Sequence, residues 1–217
     1  MSLPEGAYVA VEGVIGVGKT SLTHILGKEL RAEVILEAFS DNPYLENFYK
    51  DRAAWAFQTQ LHFLLARHRQ QASLKQRHMF RNCMVSDYLF EKDRLFARVN
   101  LSDREYTLYC KIADFLQDDI MVPDLVVYLK ASPERLKGNV LFRNREVDRD
   151  IEIEYLADLC TSYNQMFDTW TKSPLLIVNA TNLEFVRNEK DRNDLIKAIL
   201  EHPGGTQYYE PTTNHPE

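Results

Sequence analysis

The chain has 217 residues, 45% of them hydrophobic and 27% charged, which is enough for one domain with a sizeable core. Lys and Arg number 26 and Asp and Glu 32, and a net charge of −6 argues against a protein that coats nucleic acid or an anionic membrane. No apolar stretch approaches the roughly 18 residues that span a bilayer, and Met1–Ala7 lacks the features of a secretory signal. The three cysteines are too widely spaced for a zinc site or a disulfide scaffold. We therefore expect a cytoplasmic protein.

Short apolar segments predict five strands, and helical patterns separate them. The segments are Tyr8–Val11, Glu33–Leu36, Cys83–Val85, Leu125–Leu129 and Leu175–Val178. Several lack strict alternation, as expected for parallel strands that are buried on both faces. Strands alternating with helices predict one α/β domain over residues 1–200. From Glu201 onward, glycines and prolines with few apolar residues predict a mobile tail, residues 201–217.

One glycine-rich segment has the full pattern G-x-x-x-x-G-K-[ST]. It follows the first predicted strand and precedes the helical pattern Thr20–Leu30, the context in which backbone N–H groups and a helix N-terminus bind phosphates. Lys19 is predicted to reach the β- and γ-phosphates of ATP, and the Thr20 hydroxyl to bind Mg²⁺. The predicted ATP-binding residues are Gly13, Val14, Ile15, Gly16, Val17, Gly18, Lys19, Thr20 and Ser21.

Carboxylates follow the second and third predicted strands. In an open α/β sheet, ligands bind beyond the carboxyl ends of the strands. Glu37, at the end of the second strand, could take a proton from an attacking hydroxyl, although a solvated loop glutamate is also compatible with the sequence. Asp87, at the end of the third, suits the second protein contact to Mg²⁺.

An aromatic region lies beyond Glu37. Asp41–Pro43 predicts the start of a short helix that carries Phe48 and Tyr49, and this helix leads into Phe57 and Gln60 on the long helical pattern Ala54–Gln76. A carboxylate, aromatic rings and an amide suit a planar base on a sugar with a free hydroxyl. Aromatic residues at helical spacing also suit a hydrophobic core, so both interpretations remain open.

Two polar features could belong either to a site or to ordinary structure. Gln60 and Arg67 lie at the border of the apolar face of the long helix, where they either join an interior hydrogen-bond network or contact a ligand at the inner end of a cleft. Arg143, Arg145 and Arg149 cluster between two helical patterns. They could close over phosphates as a lid, or form a solvated basic face.

At these residues the chain resembles the deoxynucleoside kinases, over about Tyr8–Trp170 in order and spacing. The segments Asp41–Tyr49, Trp55–Gln60 and Val85–Tyr88 are similar to the bacterial branch, the last to deoxyguanosine kinases. The resemblance implies a P-loop kinase fold: five parallel strands wrapped by helices, with an arginine-rich lid. It also implies transfer of the γ-phosphate of ATP to the 5′-hydroxyl of a deoxynucleoside in nucleotide salvage, with a purine favoured, and a homodimer formed through a helix bundle.

The resemblance also implies roles for individual residues. Glu37 matches the general base, and Tyr49 and Asp148 match the residues that hold the 3′-hydroxyl. The remaining matches are Gln60 on the base edge with Asp93 and Arg67 nearby, Asp87 near Mg²⁺, and Arg143 and Arg145 in the lid. The chain departs from many members at Tyr88, where they carry an arginine, and at Asn139, where some carry a lid arginine.

Two other functions fit the phosphate loop. A nucleoside monophosphate kinase would need arginines that face the anionic acceptor. On the acceptor side the chain instead offers Glu37, which favours an uncharged hydroxyl. A nucleotide-binding subunit without activity is disfavoured because Lys19, Thr20, Glu37 and Asp87 are all present.

Overall fold

The computed structural model describes residues 3–37, 41–78, 82–116, 120–145, 148 and 151–211. The strands within these ranges are β1 Tyr8–Gly13, β2 Glu33–Ile35, β3 Met84–Ser86, β4 Leu125–Lys130, β5 Leu175–Asn179 and β6 Thr206–Tyr209. The helices are α1 Lys19–Glu29, α2 Leu45–Lys50, α3 Arg52–His78, α4 Lys92–Asn100, α5 Asp103–Phe115, α6 Pro133–Arg143, α7 Ile153–Asp168 and α8 Glu189–Leu200. None of these helices is long and apolar enough to cross a membrane.

The strands form one parallel sheet in the order β2-β3-β1-β4-β5-β6. Strand β1 lies in its interior, where Val9 is paired with Val85 of β3 on one side and with Leu125 of β4 on the other. Every residue of β1 is buried, which explains why its sequence does not alternate between apolar and polar residues. The predicted parallel α/β fold is confirmed.

The sheet has six strands rather than the five predicted. Thr206–Tyr209 pairs in parallel with β5, so the prediction of a mobile tail is wrong for these residues. Gly204 and Gly205 have φ angles of 102° and 65°, which glycine adopts readily, and they form the turn that leads into β6. Because β6 is an exposed edge strand, it lacks the apolar run by which the other strands were recognised.

Local interactions set the limits of the helices around the site. The side chain of Ser132 caps α6 by accepting a hydrogen bond from the backbone N–H of Arg135 (3.3 Å), and α6 ends at Arg143, followed by Asn144 with a φ of 50°. Helix α2 begins at Leu45, later than predicted. The side chain of Asn42 accepts a hydrogen bond from the backbone N–H of Tyr44 (3.0 Å), which fixes a turn ahead of the helix.

The topology brings three chain segments to one edge of the sheet. Strands β2, β3 and β1 are neighbours, and all three run in the same direction. Their carboxyl ends therefore lie together, followed by Glu37, Asp87 and the phosphate loop respectively. This edge is where ligands bind in open α/β sheets.

Candidate active site

The phosphate loop is a tight turn that requires glycine at two positions. Gly16 and Gly18 have φ angles of 87° and 103°. A Cβ atom would lie 2.7 Å from the carbonyl oxygen of Leu136 at the first position and 2.9 Å from the ring of Phe185 at the second. The loop is thus packed tightly against α6 and the segment after β5, and α1 begins immediately after it. A helix N-terminus in this position attracts anions.

Lys19 lies inside the curve of this loop. Its Nζ atom donates hydrogen bonds to the carbonyl oxygens of Gly13 (2.7 Å) and Val14 (3.3 Å). Burial and the nearby ammonium group of Lys92 lower the pKa of Lys19 to about 8. A phosphate group bound at the loop would favour the charged form, so this lysine is suited to bind an anion.

Thr20 and Asp87 present oxygen atoms to each other at the start of α1. The Thr20 hydroxyl donates to Oδ2 of Asp87 (2.7 Å), and the backbone N–H of Glu37 donates to Oδ1 (2.7 Å). Hydroxyl and carboxylate oxygens are the ligands that Mg²⁺ prefers, and this ion is usually bound through only one or two protein side chains beside substrate phosphates. The pair therefore fits the predicted Mg²⁺ site.

The carboxylate of Glu37 is held by two cations from different helices. Arg67 on α3 donates to Oε1 through Nε (2.8 Å) and Nη2, and Lys92 on α4 donates to Oε2 (2.8 Å). Burial acts to raise the pKa of Glu37. The two positive charges and their hydrogen bonds outweigh it and hold the pKa well below its usual range. Glu37 is consequently ionised at neutral pH.

The polar groups at the border of α3 form a buried network. Nη1 of Arg67 donates to Oδ1 of Asp93, a residue that is only 1% exposed. Among the described residues, no partner is found for Oδ2 of Asp93 or for Oε1 of Gln60, although both atoms are buried. Buried polar atoms are normally paired, and because Gln60 lines the cleft described below, its Oε1 is available to a ligand.

A continuous cleft of about 920 Å³ connects the phosphate loop to this network. The predicted site residues that line it are Ile15, Gly16, Val17, Gly18, Lys19, Thr20, Ser21, Glu37, Tyr49, Gln60, Arg67, Asp87, Arg143, Arg145 and Asp148. Those that do not line it are Gly13, Val14, Phe57 and Asp93. Gly13 and Val14 contact Lys19 through their carbonyl groups, and Asp93 pairs with Arg67 behind the cleft wall.

Phe57 packs against the hydrophobic core, and other aromatic side chains line the cleft. An α-helix turns by 100° per residue, so viewed along the axis of α3 the side chains of Phe57 and Phe63 lie about 60° from Gln60, on opposite sides of it. Arg67 lies on the same side of Gln60 as Phe63. Helix α3 thus turns its Phe63 side to the cleft. Phe48 and Phe96 also line it, so an aromatic lining exists but is made of other residues than Phe57.

The predicted lid arginines lie close to the residues assigned to the sugar. Arg143, at the end of α6, donates from Nη2 to Oδ2 of the buried Asp148. Burial raises the pKa of Tyr49 well above its usual value, and the neighbouring Tyr155 and Asp148 act in the same direction. Arg149, the third arginine of the predicted lid, is outside the described residues.

Several cleft residues were missed by sequence reasoning. Lys92 contacts Glu37, and Asn139 on α6 donates to the carbonyl oxygen of Gly16 (2.9 Å). At the donor end the guanidinium of Arg187 lies 4.8 Å from the ring centre of Phe142, and both residues line the cleft. Asn139 stood out only as a departure from the family pattern, and no local pattern in the sequence distinguishes the other residues from surface ones.

Glu12, directly before the phosphate loop, is also a missed residue and is fully buried. Its Oε1 accepts hydrogen bonds from the Gly13 N–H (2.8 Å) and the Tyr163 hydroxyl (2.9 Å), and its Oε2 from the Leu89 N–H (2.7 Å). Glu12 therefore joins the loop to α7 and to the segment after β3. A charged residue inside an apolar strand is the signal that could have identified it.

Comparisons with known proteins agree with this geometry. The sequence profile of the family described as "Deoxynucleoside kinase" matches residues 9–202. The chain is 34% identical to a deoxyadenosine kinase from Dictyostelium discoideum, over 91% of this chain and 80% of that protein. It is 32% identical to a deoxyguanosine kinase from Bacillus subtilis, over 85% of this chain and 91% of that protein.

A solved structure shares the architecture. The deoxyadenosine kinase from M. mycoides, with the products dCMP and a flexible dCDP bound, matches with a TM-score of 0.77 at 25% identity, over 89% of this chain and 98% of that chain. The two chains share a parallel sheet flanked by helices. From the matching profile, the two enzymes and the cleft that joins a phosphate loop to a buried carboxylate, we conclude that the chain belongs to the deoxynucleoside kinase family.

Proposed function

We propose that this enzyme transfers the γ-phosphate of ATP to the 5′-hydroxyl of a deoxynucleoside, with a purine favoured. The observation that carries the proposal is the presence of Glu37 and the loop lysine Lys19 in one cleft. A carboxylate suits a hydroxyl acceptor, and a phosphate loop suits a nucleoside triphosphate. The family membership supports the same reaction.

At the donor end, backbone N–H groups of the loop and the Lys19 ammonium bind the β- and γ-phosphates. Thr20 and Asp87 would hold the Mg²⁺ ion, which supplies positive charge to the phosphate oxygens. Arg143 and Arg145 also line the cleft and can neutralise the charge that develops on the transferring group.

At the acceptor end, the 5′-hydroxyl oxygen attacks the γ-phosphorus while the bond from that phosphorus to the bridging oxygen breaks and ADP leaves. Glu37 accepts the hydroxyl proton. Because its pKa is low, Glu37 stays ionised and can accept a hydrogen bond, but it is a weak base. It takes the proton late, once bonding to phosphorus has made the hydroxyl acidic, as expected for a loose transition state.

Recognition of the nucleoside is assigned to the buried network. The amide of Gln60 can make two hydrogen bonds to a base edge, with Arg67 and Asp93 beside it. Tyr49 and Asp148 are assigned to the 3′-hydroxyl. The names of the relatives, a deoxyadenosine kinase and a deoxyguanosine kinase, support the preference for a purine.

Two further proposals concern assembly and location. Leu108 and Phe115 are exposed and lie seven residues apart on one face of α5, next to α3 with its exposed Leu65. This apolar face supports the homodimer, and Phe115→Asp should then halve the mass measured by light scattering. The acidic composition and the three cysteines without disulfides support a cytoplasmic location.

The test is the variant Glu37→Gln with a panel of the four deoxynucleosides and dAMP as acceptors. The amide is nearly isosteric but cannot accept the proton, so kcat should fall by roughly 10²–10⁴, the range for a positioned base. Glu46→Gln is the control, because Glu46 is an exposed glutamate that forms its ion pair with Lys50 on the same helix, α2. Undiminished kcat in Glu37→Gln, or faster transfer to dAMP than to any nucleoside, would refute the proposal.

A further inference from the structure

Lys92 is a buried cation in an unfavourable position. It is the first residue of α4, and its side chain is only 4% exposed. The N-terminus of a helix carries partial positive charge, so a cation there is repelled by the helix dipole. Removing an ammonium group from water is costly as well. A lysine with both disadvantages requires a compensating interaction.

The compensating partner is Glu37. The Nζ atom of Lys92 lies 2.8 Å from Oε2 of Glu37 and 4.0 Å from Oε1 of Glu12. Both oxygens of Glu12 already accept short hydrogen bonds from the loop, α7 and the segment after β3. The direct hydrogen bond of Lys92 is therefore made to the carboxylate that we assign as the base.

The two cations on Glu37 divide its oxygens between them. Arg67 binds Oε1 from α3, and Lys92 binds Oε2 from α4. Glu37 itself lies beyond the end of β2, where its backbone N–H donates to Oδ1 of Asp87 (2.7 Å) and its side chain extends away from the sheet ladder. Its carboxylate is thus oriented by two helices rather than by its own strand, and Lys92 is the partner that holds the second oxygen.

We infer that Lys92 is a positioning residue for Glu37 in phosphoryl transfer. By holding Oε2, it fixes the carboxylate plane so that a lone pair meets the acceptor hydroxyl. Reaction rates depend steeply on such placement, and a shift of about 1 Å can cost roughly 10²-fold. This inference rests on the proposed function, because it requires Glu37 to be the base.

The test is a double-mutant cycle of Lys92→Met and Glu37→Gln. Methionine has a similar length without the charge. Alone, Lys92→Met should lower kcat about 10- to 100-fold while the KM for ATP changes less than about twofold. In the Glu37→Gln background it should lower kcat less than about threefold, because no carboxylate remains to be positioned. Arg98→Met, an exposed position on the same helix, is the control for loss of a cation from α4.

A purely structural lysine would give a different pattern. An equal loss of kcat in both backgrounds, or no loss in either, would overturn the inference. If Lys92→Met does not fold, Lys92→Arg gives the same cycle, since it keeps the charge but moves the donor atoms. The outcomes also separate the two proposals. An unchanged kcat in the single variant Glu37→Gln refutes the role of Glu37 as the base. A reduced kcat in Glu37→Gln, together with an equal further loss when Lys92→Met is added, refutes only the role of Lys92.

Discussion

Arg67→Met removes the cation on which the acceptor end of the cleft is built. The guanidinium of Arg67 is nearly inaccessible and bonds to Oε1 of Glu37 and Oδ1 of Asp93. Glu37 keeps Lys92 as a partner in this variant. Asp93 is 1% exposed and its Oδ2 already has no partner among the described residues, so the variant leaves a buried carboxylate without its cation.

The unpaired carboxylate of Asp93 sets the size of the expected loss of thermal stability. Removing one partner of a buried ion pair costs about 3–5 kcal/mol, and 1 kcal/mol shifts the Tm of a domain of this size by about 2–4 °C, so Arg67→Met should melt roughly 6–20 °C below the unsubstituted protein. The added substitution Asp93→Asn removes the unpaired charge. The double variant should therefore recover at least about half of the lost Tm.

Thermal unfolding followed by circular dichroism or calorimetry measures these shifts. Arg69→Met is the control, because Arg69 is an exposed arginine on the same helix. A Tm for Arg67→Met within about 2 °C of the control would show that the ion pairs of Arg67 do not contribute to thermal stability. A double variant no more stable than Arg67→Met alone would show that the loss does not come from Asp93.

Four other substitutions test the assignments in the cleft. Gln60→Leu should raise the KM for the preferred nucleoside about 5- to 150-fold, since about 1–3 kcal/mol is lost when a buried group is left unpaired, and should leave the KM for ATP nearly unchanged. Tyr49→Phe and Asp148→Asn should each reduce kcat/KM for deoxynucleosides but spare 3′-deoxy analogues; equal losses for both substrates would contradict the assignment. Lys19→Ala should lower kcat by about 10²–10³ with nucleoside binding retained by calorimetry, because the lysine faces charge that builds up in the transition state.

The features that were predicted best from the sequence are those located at strand ends. Glu37, Asp87 and the phosphate loop are far apart in the chain, yet each comes after a buried parallel strand, and parallel strands bring their carboxyl ends to one edge. The sheet order places those three strands side by side. The prediction therefore needed the strand positions, which are marked by their apolar residues, and the glycine pattern of the loop.

The features that the sequence did not reveal depend on packing between distant segments. Lys92 stands in the run Glu91–Arg94, which is typical of a solvated surface, and only the packing of α4 beside α3 buries it against Glu37. The rotation of α3 that turns Phe63 rather than Phe57 to the cleft is also set by neighbouring helices. Strand β6 was missed because an edge strand needs no apolar run once its backbone pairs with β5.

The charge distribution at the acceptor end gives a reason why a nucleoside, rather than a nucleotide, suits this cleft. Both cations that contact Glu37 are already committed to carboxylates: Arg67 to Glu37 and Asp93, and Lys92 to Glu37 with Glu12 nearby. Three carboxylates thus share two cations, so the formal net charge of these five groups is −1. An acceptor phosphate placed against Glu37 would add negative charge where none of these cations is spare, whereas a hydroxyl adds only a hydrogen-bond donor that the carboxylate can accept.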